Sequence, residues 1–214
     1  MKSTTDGISL SRKELTALLA FASQEETDKN KWGVHFRIAG EKVFARATNG
    51  YACFELEGIN DGANDGEWMV ARKFLVDGQK ELESKQVLRL EFKGASLHEA
   101  AVLENDQELG RWQSAKDVAI SQVTFPWDGV KLPAANRKIA HCSAISTPYL
   151  KLVMLAAKAV DIETAYFYAP KDAGGAFIFT VGHDGKTSGL GSIVPLPVEA
   201  GASDDEDDED EEAA

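Results

Sequence analysis

One phrase recurs three times along this 214-residue chain. It reads "ISLSRKELTALL" at 8–19, "EWMVARKFLVDG" at 67–78 and "SAISTPYLKLVML" at 143–155. Each copy opens on a β-type residue and a small residue, then enters a helical pattern. Recurrence at intervals of several tens of residues means one supersecondary unit used repeatedly, which constrains the fold more than any local motif. The first copy carries helix-start chemistry: Ser11 and Glu14 form an S-x-x-E capping box, in which each side chain satisfies an orphan amide of the first turn. Leu15, Leu18, Leu19 and Ala22 follow at i, i+3, i+4 and i+7, the stripe of an amphipathic helix. The third copy places Pro148 at N1, where a missing N–H costs nothing, and its spacing predicts a buried stripe of Leu150, Val153, Met154 and Ala157. In the second copy Gly78 interrupts the pattern, but Leu75 and Leu82 share a face.

Strand-like runs follow each helix. Trp32, Val34, Phe36 and Ile38 alternate with Gly33, His35 and Arg37; "KVFARAT" and "YACFELE" come next, joined through "NG", a hairpin signal. After the second helix Leu88, Leu90 and Phe92 alternate with Arg89 and Glu91, and "KDVAISQV" comes later. After the third come "TAYFYA", "GAFIFTV" and "SIVPLPV". The expected fold class is α+β: three strand-helix-strands units with helices on one face of antiparallel sheets.

Charge is concentrated. Of the acids behind the formal charge of −12, nine lie in Asp204–Glu212, and the rest of the chain carries −3. That block has no apolar anchor and reads as a disordered acidic tail, serving solubility or binding a basic surface. The composition is 43% hydrophobic, enough for a core, with no 18-residue apolar run for a membrane helix and no signal-like start. The expected location is the cytoplasm. Cys53 and Cys142 are expected to be reduced, packed thiols. His35, His98, His141 and His183 are too scattered for a ligand set, so no metal or other cofactor is expected. No phosphate loop, zinc-protease or nucleophile-elbow motif occurs, and the chain does not read as an enzyme.

The helices also carry basic residues at comparable places: Arg12 and Lys13, Arg72 and Lys73, then Lys151 and Lys158. On helices lying side by side these make a cationic strip, suited to a phosphate backbone and indifferent to base sequence.

Three further stretches resemble one family, the bacterial-type DNA polymerase sliding clamp or β subunit. "VFARATNGYACFEL" is similar to the clamp's strand-turn-strand; Ala47, Thr48 and Gly50 match, Asn49 replaces an aspartate, and Tyr51 and Ala52 replace a His-Arg pair. "VTFPWDGVKLP" is similar to the boundary of the clamp's last two domains, with Phe125, Pro126, Leu132 and Pro133 in step. "SIVPLPV" is similar to its closing strand, with Pro195 in register. The resemblance implies a DNA-clamp-like fold and no catalytic chemistry. It implies a shortened chain, of the kind a phage or mobile element would encode. The layout it implies is an N-terminal arm (1–6), a complete domain of two units (7–133), a half-domain (134–199) and the acidic tail (200–214).

Functionally it implies a processivity or tethering factor on double-stranded DNA, working as a homo-oligomer with a polymerase or other replication proteins, and not at a membrane. The family's partner-peptide cleft falls on Thr48, Gly50, Tyr51 and Cys53, on Pro126 and Val130, and on Val194 and Leu196. Three units per chain, against six in the bacterial clamp, keep a second reading open. In it the chain is a non-encircling adaptor or inhibitor whose acidic tail mimics DNA. A third reading is an acidic-tailed single-strand-binding protein, which Trp32, Trp68, Trp112 and Trp127, spread through apolar patterns, disfavour.

Overall fold

The computed structural model describes residues 1–4, 7–24, 33–93, 96–113, 119–120, 145, 147–168, 176–183 and 186–194. Trp32, the Phe125–Pro133 stretch, Cys142, Pro195, Leu196 and the acidic tail lie outside the described residues.

Among the described residues the repeated unit is present twice in full and a third time from its helix onward. The first runs β2 (Gly7–Ser11), α1 (Arg12–Phe21), β3 (Gly33–Ala39), β4 (Lys42–Thr48) and β5 (Ala52–Asp61). The second runs β6 (Gly66–Ala71), α2 (Arg72–Lys80), β7 (Val87–Lys93), β8 (Ser96–Glu104) and β9 (Gln107–Gln113). Between the units lies the short β10 (Ala119–Ile120), which pairs with β6. The third runs α3 (Thr147–Ala159), β11 (Ala165–Tyr168), β12 (Phe177–His183) and β13 (Lys186–Ile193). Lys2–Thr4, within the stretch expected as an N-terminal arm, forms β1: its backbone pairs with β2 antiparallel and with β5 parallel.

The strands are continuous in the order β10-β6-β3-β4-β5-β1-β2-β7-β8-β9. The sheet forks at β5, whose first half, Ala52–Leu56, pairs with β13 and whose far end pairs with β1. The third unit is thereby joined to the first within one chain. Among the described residues, all pairings except β1–β5 are antiparallel.

Local chemistry explains the elements. The Glu14 amide donates to Ser11 Oγ at 3.3 Å and the Ser11 amide donates to Glu14 Oε2 at 2.7 Å, so the capping box forms as read. The β4–β5 link is longer than a two-residue hairpin. Asn49 Oδ1 accepts from the amides of Tyr51 and Ala52, and Gly50 takes φ +93°, which favours glycine.

The helices form one layer, with α1 packed against both α3 and α2. Lys13, at the start of α1, pairs with Asp161 just beyond the end of α3, so those two helices run antiparallel. At that same end of α1, Gln79 donates to Thr16 Oγ1 at 2.7 Å and Arg12 donates to the Leu82 carbonyl at 3.2 Å. The end of α2 therefore lies beside the start of α1.

Under this layer sits the core. Leu15, Leu18 and Phe21 of α1 are buried with Leu75 of α2 and with Ala45, Ala47, Phe54 and Leu56 of the sheet. Phe21, Phe54 and Phe179 stack, with centroids 5.2 Å (21 to 54), 6.1 Å (21 to 179) and 6.1 Å (54 to 179) apart. Gly191 makes this possible, because a Cβ there would stand 2.2 Å from Phe179 Cζ and 2.5 Å from the Cys53 carbonyl oxygen.

One expected stripe is corrected. In α3 the buried residues are Val153, Ala156, Ala157 and Ala159, while Leu150 is 40% and Met154 59% exposed. Residues 149–157 are apolar apart from Lys151, so several stripes satisfy a helical period. The alanines face α1 because only small side chains let two helices approach closely.

On the other side of the first unit's strands, His35 lies directly across from Arg46 in the β3–β4 register and is buried. Its Nε2 stands 3.0 Å from Glu67 Oε1. Burial, followed by the charges of Arg46 and Arg37, holds its pKa at about 4 against an ordinary 6.5. The unfolded chain therefore binds a proton that the folded chain refuses, and stability falls as pH drops from 6.5 through about 4. The full effect is about 3 kcal/mol. Glu55, whose carboxyl burial pushes above its ordinary range against the pull of Arg46, acts in the opposite sense at the acid end. Urea midpoints across this window should fall with acidification in the parent protein and be distinctly flatter in His35→Gln.

Candidate functional site

Two sets of residues require placing, the cations of the helices and the cleft.

The six cations are not equivalent. Arg12 is spent on the Leu82 carbonyl and Lys13 on Asp161. Arg72 is half-buried, with its Nε enclosed. Lys73 is exposed, and its charge helps hold the Asp77 carboxyl below the usual carboxylate range, after the larger effect of Lys80. Lys151 and Lys158 stand on the exposed face of α3, seven residues and so about 10 Å apart along the axis. Thr147, Leu150 and Met154 share that exposed face, and no acidic residue of α3 interrupts it. Asp77, Glu81 and Glu83 stand exposed on and just after α2, and Asp161 and Glu163 beyond α3. The cationic character of the layer is therefore strongest along α3 and at the start of α2. The sequence could not weigh this, because it does not say which lysines are already paired.

Of the residues expected to form a partner cleft, those that the structure describes lie near one another. Thr48, Gly50 and Tyr51 belong to the β4–β5 corner and Cys53 to the start of β5. Val194 arrives beside them because β13 pairs with β5, and its amide donates to the Tyr51 carbonyl at 2.8 Å. Cys53 is buried, with Sγ 3.0 Å from Ser192 Oγ on β13; burial pushes its thiol up, against the pull of that hydrogen bond. Thr48 Oγ1 donates to the Ala52 carbonyl and accepts from the Gly50 amide, a rigid corner. Tyr51 is 63% and Val194 40% exposed, so this corner presents an aromatic and a branched aliphatic side chain to its surroundings. Pro126, Val130 and Leu196 lie outside the described residues. The end of α1 adjoins the corner, since the Ser23 amide donates to the Thr48 carbonyl at 3.2 Å.

A feature not foreseen from sequence is a groove of ≈ 550 Å³ on another side of the molecule, between α2 and β8–β9. Phe74, Asp77, Glu81, Val102, Leu109 and Arg111 are among its lining. Arg111 is held there by Glu91, Glu99 and Glu108 together. Only the tertiary pairing of β7, β8 and β9 brings those three carboxylates around one guanidinium. Among the described residues, no group of three His, Cys, Asp or Glu side chains is placed to hold a metal ion. No described helix is long and apolar enough to cross a membrane.

No family model matches this sequence, and no curated protein matches it. Solved structures do. The DNA polymerase III β chain of Streptococcus pneumoniae TIGR4 matches with a TM-score of 0.62 at 11% identity, over 92% of this chain and 66% of that one. The β subunit of Thermotoga maritima matches with 0.58 at 11% identity, over 92% and 66%. That of Streptococcus pyogenes matches with 0.58 at 15% identity, over 92% and 67%. A sliding clamp of Pseudomonas aeruginosa bound to griselimycin is similar at 10% identity with a TM-score of 0.58. The fold is thus that of the sliding clamps, α+β with antiparallel sheets, and the chain spans about two thirds of the length of the clamps it matches.

Proposed function

We propose that this chain is a sliding-clamp-like tethering factor. Its helix layer faces double-stranded DNA without reading sequence, and the β5–β13 junction takes a short apolar segment of a replication partner. The observation that carries this reading is the clamp fold with its three helices in one layer, α3 presenting Lys151 and Lys158 to the outside. Cations held at intervals on a rigid surface suit phosphates at variable register, which permits sliding. The exposed Tyr51 and Val194 over a hydrogen-bonded corner support a docking role, since aromatic and aliphatic anchors dominate peptide recognition.

The test is retention on closed circular against linear DNA across a salt series. Lys151→Glu combined with Lys158→Glu should weaken binding about tenfold or more and flatten the salt slope by about two, at roughly 0.9 per lost phosphate contact. Unchanged retention in that variant would remove the helix layer from the DNA reading.

A second reading is favoured by one observation: β13 pairs with β5 of the same chain, using that edge internally. The chain would then be a non-encircling adaptor or inhibitor on the same fold. Light scattering separates the two. A strict monomer at working concentration, with equal and salt-labile retention on circles and linear DNA, selects the adaptor; an oligomer that prefers circles selects the clamp.

A further inference from the structure

Where the chain leaves β13 bears on the acidic segment at its end. Val194 sits on the Tyr51 carbonyl at the β4–β5 corner, and the end of α1 adjoins that corner through Ser23 and Thr48. Because α3 runs antiparallel to α1, the corner lies at the end of the helix layer where α3 begins. Asp204, the first of nine consecutive acids, lies ten residues along the chain from Val194. Fully extended, that stretch reaches about 33–36 Å. The 13 residues of α3 measure about 20 Å. The acids can therefore reach any part of the exposed α3 face. That face offers Lys151 and Lys158 with no acid of its own, and Lys73 lies at the start of α2, the other helix packed against α1.

We propose that the acidic segment Asp204–Glu212 of the same chain occupies this cationic face of α3. Exposed ion pairs are individually weak and screened by salt. Tethering changes the balance: a short linker makes the encounter intramolecular, at an effective concentration in the millimolar range. Nine carboxylates against two or three ammonium groups can bind in many registers, so the contact needs no single geometry. It holds the face against weakly bound polyanions and yields it to a polyanion of higher charge density. That competing role, unlike the contact itself, rests on the DNA reading above, for which the tail would set a threshold.

The test is lysine acetylation of the full chain, read by mass spectrometry, against a variant in which the nine acids are replaced by their amides. At low salt, Lys151 and Lys158 should acetylate about threefold faster in the variant, the difference closing near 1 M salt, where the Debye length is about 3 Å. Lys85, on the turn after α2, is the reference and should not change. Equal rates at Lys151 and Lys158, or an equal rise at Lys85, overturns the proposal. Protection that disappears on dilution assigns the contact to a second copy and overturns it in cis. Linear duplex DNA supplies the separating arm: the amide variant should bind it about tenfold more tightly at low salt. Protection with no DNA binding by either protein keeps the contact and removes the DNA reading. DNA binding without protection keeps the DNA reading and removes the contact.

Discussion

Replacing Phe21 by alanine is expected to cost about 3–5 kcal/mol of folding stability, the range for truncating a fully buried aromatic. Phe21 is fully buried at the end of α1 and stacks on Phe54 of the first unit and Phe179 of the third. The cavity would open at the join between units, where neither sheet can collapse into it. Phe179 already sits close against Gly191 of β13, where a Cβ would stand 2.2 Å from its ring. A domain of ordinary stability has about 5–15 kcal/mol in total, so the variant should be close to unfolding. Urea denaturation measures the effect, and Phe179→Ala should give a similar loss. The double variant should lose less than the sum, because the two rings share one contact. A loss below about 1 kcal/mol for Phe21→Ala would mean that the third unit does not pack on the first in this way.

Glu55→Leu should be the other large effect, about 3 kcal/mol, by stranding the Arg46 guanidinium. The two side chains pair across the β4–β5 register and are only 10% and 11% exposed. Removing one partner leaves a buried charge without its counter-ion. Removing both, as Arg46→Met with Glu55→Leu, should come within about 1 kcal/mol of the parent, since desolvation of the pair offsets most of its attraction. The double replacement should also lift the acid-titration midpoint of His35, because Arg46 is, after burial, the larger of the two charge effects holding it down. Chemical denaturation gives the stabilities and the His35 ring proton resonances give the titration. A double variant as unstable as Glu55→Leu alone would show that packing, not charge, set the cost.

Much of the architecture was legible in the sequence, and the reasons are local. The Ser11–Glu14 capping box fixed where α1 starts, alternation marked β3 and β7, and the hairpin signal marked β4. Recurrence of the phrase fixed the number of units, because the same chemistry was written three times. Strands β8 and β9 went unread: "SLHEAAVLE" and "QELGRWQ" carry charged and polar residues on a face whose partners come from elsewhere in the sheet. In α3 the apolar residues run nearly all round, so periodicity left the buried side open. The meeting of the residues proposed for partner docking was legible only in part. The Thr48–Cys53 corner is a sequence-local device, but its meeting with Val194 depends on a pairing between strands more than a hundred residues apart.

By itself the sequence determined the units, because hydrogen-bonding caps and hydrophobic periods act over a few residues. The tertiary structure alone decided what the third unit pairs with. Strand β5 is long enough to serve two partners on one edge: its far end pairs with β1, and its first half pairs with β13, with Phe21, Phe54 and Phe179 stacked beneath. It also decided which cations remain available. Lys13 is neutralised by Asp161, 148 residues away, while Lys151 and Lys158 point outward on a helix whose alanines turn toward α1. A charge in a sequence has no partner until the fold supplies one.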